Sequence, residues 1–277
     1  MSEGIDILTG QRIGFIGCGA MAQALAGGLV AAGVATDNLL GADLALEQRN
    51  QFEQGLGIGT TDDNAHLVSS CDVVVMCVKP NIVAPVLAGL AGSDGLAQKL
   101  FVSLAAGISI STYEAGLPTG TRVIRTMPNT PALVREGATA LCPNAAATAA
   151  DLEIATAMFC AVGTTWTTRQ EEQLDAVTGL SGSGPAYVFL VLEALGDAGV
   201  RQGLPRDAAY KLAFQTVLGA AKLAIETGEH PGVLKDRVTS PGGTTIAGLE
   251  KLESGGVRSA IYEAVAAATA RSKELGS

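Results

Sequence analysis

The first 168 residues alternate short apolar runs with amphipathic stretches. Runs such as RIGFIG at 12–17 and DVVVMCV at 72–78 are apolar at nearly every position, which is typical of strands buried on both faces. Similar runs occur at 38–43, 99–107 and 121–127, with weaker candidates at 137–142 and 163–168. Stretches with helical character, such as 20–33 and 45–55, lie between them. Buried strands separated by helices predict a mostly parallel sheet covered on both faces.

From about Gln170 onward the strand pattern stops. The segments 184–203 and 205–228 predict long helices, with Pro185 in a first turn and Gly228 at a helix end. Two further helices are predicted from TTIAGLEKLESGG and VRSAIYEAVAAATARSKEL. We therefore predict an α/β N-terminal Rossmann-type dinucleotide-binding domain at residues 1–168. An all-α C-terminal dimerisation and substrate domain follows at 169–277.

The C-terminal helices are apolar around much of their circumference, which a single layer of helices cannot bury. We expect them to pack against a second copy of the chain, most simply as a two-fold homodimer. The alternative is that the α/β domain covers these apolar faces.

Composition narrows the range of functions. The net charge of −9 argues against a nucleic-acid partner, which would require a basic face. No apolar run reaches the roughly 18 residues of a membrane span, and the acidic start does not resemble a secretory signal, so we expect a cytoplasmic protein with no membrane partner. Five scattered cysteines and two distant histidines supply neither a zinc site nor a Ser-His-Asp triad. We expect no metal, and chemistry that comes from an organic cofactor.

A glycine-rich turn follows the first predicted strand. Residues Gly17 to Ala22 read G-x-G-x-x-A and open a helix, which is the context of a dinucleotide-binding fingerprint. Gly17 permits the tight turn, Gly19 lets the backbone approach a pyrophosphate, and Ala22 allows close packing of helix and strand. The free N–H groups of the helix N-terminus then bind phosphate. An ordinary glycine turn is the alternative.

Asp43 ends the second predicted strand, 21 residues after Ala22. A carboxylate at this place accepts a hydrogen bond from a ribose 2′-hydroxyl and repels a 2′-phosphate, which favours NADH. Arg49, about one turn into the next helix, is placed to offset part of that repulsion. Alternatively, Asp43 is only an N-cap for the helix that follows.

Other candidates follow later strands. Lys79, in CVKPN, ends the third long strand and is placed to meet the phosphates or the nicotinamide side of the cofactor, because ligands of such sheets bind at the carboxyl ends of strands. The small residues of SLAAG at 103–107 leave room for a flat ring.

Three later segments are more specific. TRVIRTMPNTPALVREGATAL at 121–141, LDAVTGLSGSGPAYVF at 174–189 and LKDRVTSPGGTTIAGLEKLESGGVRSAI at 234–261 strongly resemble pyrroline-5-carboxylate reductase, and the likeness covers nearly the whole chain. The resemblance implies reduction of 1-pyrroline-5-carboxylate to L-proline by NADPH or NADH, the last step of proline biosynthesis. It also implies an intertwined homodimer, or a larger ring of dimers, with the substrate at the dimer interface.

The resemblance also assigns site residues. The cofactor-binding candidates, in addition to Asp43, are Ile16, Gly17, Cys18, Gly19, Ala20, Met21, Asn64, Val78, Lys79, Pro80, Leu104, Ala105 and Ala106. The substrate-binding candidates are Glu171, Gly243, Thr244 and Thr245, and the catalytic candidate is Thr245. Many family members carry Asn-Arg or Ser-Ser in place of Asp43-Leu44, and Asn can stand in place of Arg237.

The loop VTSPGGTTIAGLE suggests how a small substrate is held. Pro241 stiffens the turn, and Gly242 and Gly243 let the backbone come close. A helix that begins at Thr244 or Thr245 offers N–H groups to the substrate carboxylate, and the Thr245 hydroxyl is free to bond the ring nitrogen. The alternative is that Thr245 is only a helix cap.

Two other functions fit a two-domain chain of this plan. A β-hydroxyacid dehydrogenase needs a lysine on the first long C-terminal helix, but no lysine precedes Lys211 there. A non-catalytic nucleotide sensor would not need the SPGGTT loop.

Overall fold

A computed structural model describes residues 5–276. It contains an eight-stranded sheet with the order β3-β2-β1-β4-β5-β6-β7-β8. The strands are β1 (Ile13–Ile16), β2 (Leu39–Ala42), β3 (Gly59–Thr61), β4 (Val73–Met76), β5 (Leu100–Ser103), β6 (Arg122–Met127), β7 (Gly137–Pro143) and β8 (Gly163–Thr167). All neighbouring strands are parallel except β6 and β7. The prediction of a mostly parallel sheet is therefore confirmed.

Six α-helices accompany this sheet between residues 5 and 168. They are α1 (Ala20–Ala31), α2 (Leu46–Leu56), α3 (Asn64–Ser70), α4 (Pro80–Gly89), α5 (Ile110–Gly116) and α6 (Ala149–Cys160). The later helices are α7 (Gln173–Val177), α8 (Gly184–Arg201), α9 (Arg206–Thr227), α10 (Pro231–Arg237), α11 (Thr244–Ser254) and α12 (Val257–Gly276). A π-helical turn, Thr178–Gly182, joins α7 to the segment before α8. Among the described residues, no helix has both the length and the apolar character to cross a membrane.

The core lies on both faces of the sheet because successive side chains of a strand point to opposite faces. Phe15 belongs to one buried cluster, with Leu25 and Phe52, whereas the next residue, Ile16, belongs to the other. Strands β4 and β5 divide their side chains between the two clusters in the same way. This alternation explains why the strands read as continuous apolar runs.

The chain divides into two compact units. One contains the residues up to Gly182 together with those from Ala268 onward, and the other is Ser183–Ala267. Helix α7 belongs to the first unit, where Leu174 is fully buried in a cluster with Ile110 and Cys142. The boundary near residue 168 stays a prediction, and the predicted all-α character holds for every described element after β8.

The second unit exposes many large apolar side chains in the single chain. Helices α8, α9 and α12 present Phe189, Leu190, Leu218, Ile225 and Tyr262, each more than half exposed. Such a surface is typical of helices that pack against another protein chain.

Burial changes the acid–base behaviour of several side chains in the first unit. It raises the pKa of Cys71 from 9.0 to about 11 and, with a further contribution from Asp43, the pKa of Cys18 to about 12. Burial likewise raises the pKa of Tyr113 to about 12 and the pKa of Cys77 well above its ordinary value. Cys160 is the exposed cysteine of the set.

These shifts predict that the free energy of unfolding falls between about pH 9 and pH 11. The folded state holds the protons of these groups to higher pH than the unfolded state does, so their stabilisation is complete below about pH 9 and is lost as the pH rises. Urea titrations at several pH values in this range measure how steeply the free energy of unfolding falls with pH. Cys71→Ala should reduce this slope by up to about one proton. An equal slope in the parent and in Cys71→Ala would contradict the assignment.

Candidate cofactor and substrate sites

The carboxyl ends of six strands meet at one edge of the sheet. Strands β3, β2, β1, β4, β5 and β6 run parallel, so the residues that follow each of them lie along the same edge. The order of the strands reverses between β1 and β4, and open α/β sheets bind ligands at such a switch point. Ile16 is the last residue of β1, and all the other cofactor-binding candidates lie in segments that follow these strands.

The glycine loop between β1 and α1 has the geometry of a pyrophosphate site. Gly17 adopts φ of 96°, and a Cβ there would lie 3.0 Å from backbone atoms of Cys77 and Val78. A Cβ on Gly19, in contrast, would meet no atom within 4 Å. Gly19 is the N-cap of α1, and no side chain caps this end. The first N–H groups of α1 are therefore available to an anion, and the loop fits a dinucleotide.

Asp43 holds the glycine loop against the end of β2. Its Oδ2 accepts from Cys18 N at 2.9 Å, and its Oδ1 accepts from Ala45 N at 2.8 Å. The proposal that Asp43 is the N-cap of α2 is wrong, because the N-cap is Ala45. Each carboxylate oxygen can still accept a further hydrogen bond, so Asp43 remains a candidate for a ribose hydroxyl.

Arg49 is fixed at the same corner. Its Nη1 donates to the backbone oxygen of Asp43 at 2.9 Å and lies 3.5 Å from Oδ2 of Asp62. The Arg49 side chain is 16% exposed, whereas that of Asp62 is 71% exposed. Arg49 thus connects the backbone at the end of β2 to the Asp62 carboxylate at the end of β3.

Two other cofactor candidates begin helices. Asn64 is the first residue of α3, where Asp63 is the N-cap and accepts from Ala65 N and His66 N. Lys79 is exposed at the N-cap of α4, and Pro80 is the first residue of that helix. No side chain caps α4, so the Lys79 ammonium and the helix N-terminus both present positive charge at the end of β4.

The segment Leu104–Ala106 follows β5, and buried hydrogen bonds hold Ser103, the last residue of that strand. The hydroxyl of Tyr113 lies 2.7 Å from Ser103 Oγ and donates to it, and the hydroxyl of Thr126 donates to Ser103 O at 2.8 Å. Ala106 is exposed, and its methyl side chain leaves space above the strand end.

Glu171 joins three elements of the first unit. Its Oε1 accepts from Ile110 N at 2.7 Å, at the start of α5, and from Arg125 Nη1 at 2.7 Å, on β6. The Arg125 side chain is 11% exposed and that of Glu171 is 30% exposed. Both bonds involve Oε1, so Oε2 has lone pairs to offer a ligand. The role of Glu171 in substrate binding stays a prediction.

The threonine loop lies in the second unit. Helix α11 begins at Thr244, its N-cap is Gly243, and no side chain caps it. The alternative reading of Thr245 as a cap is therefore wrong. Within residues 5–276 the Thr245 hydroxyl makes no hydrogen bond, and the side chain is half-buried.

Glycines shape this loop. Gly242 adopts φ of 68°, and a Cβ on Gly243 would lie 2.2 Å from Ser240 Oγ. Any side chain at residue 243 would therefore displace Ser240 or the loop. The uncapped N-terminus of α11 and the Thr245 hydroxyl are consequently both available to a small anionic ligand.

Arg237 has a structural role that the sequence did not indicate. Its guanidinium makes a bidentate pair with the Glu229 carboxylate, with Nη1–Oε2 at 2.5 Å and Nη2–Oε1 at 2.8 Å. The pair joins the end of α10 to the turn that precedes it, just before the threonine loop.

Arg125 and Asp62 are site residues that the sequence reasoning missed. Arg125 follows the apolar pair Val123 and Ile124 in the middle of a predicted buried strand, and a charged side chain at such a position is a sequence signal for a buried partner. Asp62 gave no comparable signal, because it follows a strand of three residues, GTT, that was not predicted.

Two family models match the chain. Residues 171–275 match the model described as pyrroline-5-carboxylate reductase dimerisation. Residues 12–107 match the model described as NADP oxidoreductase, coenzyme F420-dependent. The first match covers the helical region, and the second covers β1 to β5 with the glycine loop.

Individual proteins are similar over nearly the whole length. A pyrroline-5-carboxylate reductase of Methanosarcina acetivorans is 49% identical, over 96% of this chain and 98% of its own. A solved pyrroline-5-carboxylate reductase structure from Coxiella burnetii is 39% identical with a TM-score of 0.91, over 96% of this chain and 99% of its own. A Plasmodium falciparum pyrroline carboxylate reductase, solved with NADP bound, is 33% identical with a TM-score of 0.86, over 97% and 99% of the two chains.

The Glu171 contacts predict a loss of stability on substitution. Glu171→Gln should lower the free energy of unfolding by about 1–3 kcal/mol, because it leaves the half-buried Arg125 charge without its partner. Urea unfolding measures this change. The matched control is Glu172→Gln, which removes the same charge from an exposed neighbour and should change stability by less than about 0.5 kcal/mol. Equal stability of the two variants would contradict a stabilising role for the Glu171 contacts with Arg125 and Ile110.

Proposed function

The chain belongs to the pyrroline-5-carboxylate reductase family, and we propose that it reduces 1-pyrroline-5-carboxylate to L-proline with NAD(P)H, the last step of proline biosynthesis. The reaction adds a hydride to the carbon of the C=N bond and a proton to its nitrogen, so the cyclic imine becomes a cyclic amine. The observation that carries the proposal is the presence of uncapped helix N-termini at α1 and at α11. One follows the glycine loop and suits a pyrophosphate, and the other carries Thr245 and suits a small carboxylate.

The first unit binds and orients the cofactor, which supplies the hydride when bound. The N–H groups at the start of α1 hold the pyrophosphate, and Asp43 keeps the loop in place through Cys18 N. Asn64 binds on the adenosine ribose side, and Lys79 with the N-terminus of α4 contributes positive charge to the middle of the cofactor. Leu104–Ala106 bind the nicotinamide end.

The second unit supplies the residues that recognise the substrate. The N–H groups at the start of α11 bind the carboxylate, and the turn at Gly242 and Gly243, which has no bulky side chain, admits a small molecule close to the backbone. The Thr245 hydroxyl hydrogen-bonds the ring nitrogen and orients it. Threonine is too weak an acid to protonate the imine unaided, so the proton arrives with the substrate or through water. Glu171 contributes to product binding through Oε2.

The active form is a homodimer, or a ring built of such dimers, in the cytoplasm. The proposal is supported by the match of the helical region to a dimerisation family and by the exposed apolar residues of α8, α9 and α12. A single chain leaves this surface in water, and a second copy is the partner that such two-fold interfaces most often use.

We predict that the chain uses NADH at least as well as NADPH. Repulsion between the Asp43 carboxylate and a 2′-phosphate costs about 1 kcal/mol at the dielectric of the protein surface. Steady-state kinetics with 1-pyrroline-5-carboxylate and each cofactor, followed at the absorbance band of the reduced nicotinamide, test both the reaction and the preference. No turnover with either cofactor would refute the proposed function. A preference for NADPH of more than about tenfold, equivalent to 1.36 kcal/mol, would refute the role of Asp43.

Thr245→Ala should lower kcat/KM by at least about tenfold, because a hydrogen bond to the reacting nitrogen is lost. Cofactor affinity and the unfolding midpoint should stay unchanged, since Thr245 does not cap α11. Thr245→Ser keeps the hydroxyl and is the matched control, with kcat/KM close to that of the parent. If Thr245→Ala folds, dimerises and retains most of its kcat/KM, the hydroxyl has no part in the mechanism.

A further inference from the structure

The corner formed by the ends of β2 and β3 contains an alternating set of charges. The Arg49 guanidinium donates to the Asp43 backbone at 2.9 Å and lies 3.5 Å from the Asp62 carboxylate. The Asp43 carboxylate is held in place by Cys18 N and Ala45 N. The corner therefore carries two negative charges and one positive charge, with the positive charge largely buried at 16% exposure.

This corner is where cofactors with and without a 2′-phosphate are distinguished in doubly wound sheets. The end of the second strand meets the ribose, where an acidic residue accepts the 2′-hydroxyl and a nearby arginine accommodates a 2′-phosphate. Both residue types occur here, in Asp43 and Arg49. Because their effects are opposite, the charges that surround Arg49 decide which cofactor is favoured.

We propose that Asp62 is a second determinant of cofactor preference and that it acts through Arg49. The inference rests on the proposed function, because it concerns the cofactor of that reaction. Asp62 is a positioning residue: its carboxylate neutralises part of the Arg49 charge and occupies one side of the guanidinium. A 2′-phosphate must compete with Asp62 for Arg49, whereas a 2′-hydroxyl does not require Arg49.

A purely structural role for this ion pair predicts a different result. Exposed ion pairs contribute between about 0 and 1 kcal/mol to stability. Loss of such a contact would loosen the corner between α2 and β3 and would weaken NADH and NADPH alike. A role in preference requires that substitutions of Asp62 and Arg49 change the ratio of the two cofactors, and in opposite directions.

The experiment measures kcat/KM for NADPH divided by kcat/KM for NADH in three variants. Asp62→Asn should raise this ratio by at least about threefold, and Arg49→Gln should lower it by at least about threefold, as expected from the gain or loss of one unit charge near the 2′ position. Glu53→Gln is the matched control. It removes one negative charge from α2, where Glu53 contacts Thr60 rather than Arg49, and it should leave the ratio within about twofold.

Binding and salt dependence give independent measurements. Calorimetric titration with 2′,5′-ADP and with 5′-AMP should show the same opposite shifts, and the shifts should shrink as ionic strength rises, because exposed charges are screened. An unchanged ratio in Asp62→Asn, or equal shifts in Asp62→Asn and Glu53→Gln, would overturn the inference while reductase activity stands. Opposite shifts in nucleotide affinity without any turnover of 1-pyrroline-5-carboxylate would instead overturn the proposed function.

Discussion

The parallel register of the sheet is the constraint on which the cofactor site depends. Hydrogen bonds such as Gly17 N to Ala42 O and Cys77 N to Ile16 O continue the pairing beyond the ends of the strands. The first bond holds the glycine loop to the end of β2, and the second holds the segment before α4 to the end of β1. Gly17 suits this loop because a Cβ there would lie 3.0 Å from backbone atoms of Cys77 and Val78. The uncapped N-termini of α1 and α4 then point to the same edge without any dedicated side chain.

The strands with long apolar runs could be predicted because burial on both faces requires apolar residues at nearly every position. Strand β3 has no such run. It is three residues long, with only partial burial, and it forms because β2 offers it backbone partners at Leu40 and Ala42. The helical region was equally predictable in kind, since amphipathic runs and Gly228 mark helices and their ends. The π-helical turn Thr178–Gly182 was not predictable, because its geometry depends on tertiary contacts such as the bond from Asn129 to Ser181 O.

The candidate site likewise contains features that could be predicted from the sequence and features that could not. Glycine positions could be predicted because turn geometry restricts the residue type, and the resemblance to a family supplied the rest. The partners of charged residues could not be predicted. Asp43 was weighed as a ribose acceptor or a helix cap, yet its carboxylate holds the backbone of the glycine loop. Glu171 was assigned to the product, yet one of its oxygens already holds Arg125 and the start of α5. Sequence position gives the strand end at which a side chain lies, but the donors around it are set by the packing of elements far apart in the chain.

The threonine loop shows why a glycine at the N-cap matters for chemistry. Serine or threonine at an N-cap satisfies one of the orphan N–H groups of the helix, and that group is then lost to a ligand. Gly243 leaves them all available, and a Cβ at this position would lie 2.2 Å from Ser240 Oγ, so a capping side chain would displace Ser240 or the loop. The stability lost by having no capping side chain is small, since glycine at an N-cap costs only a few tenths of a kcal/mol relative to serine or threonine. A helix that begins in this way keeps both its N–H groups and the first-turn hydroxyl of Thr245 for the substrate, so recognition of a small anion requires no charged side chain in the loop.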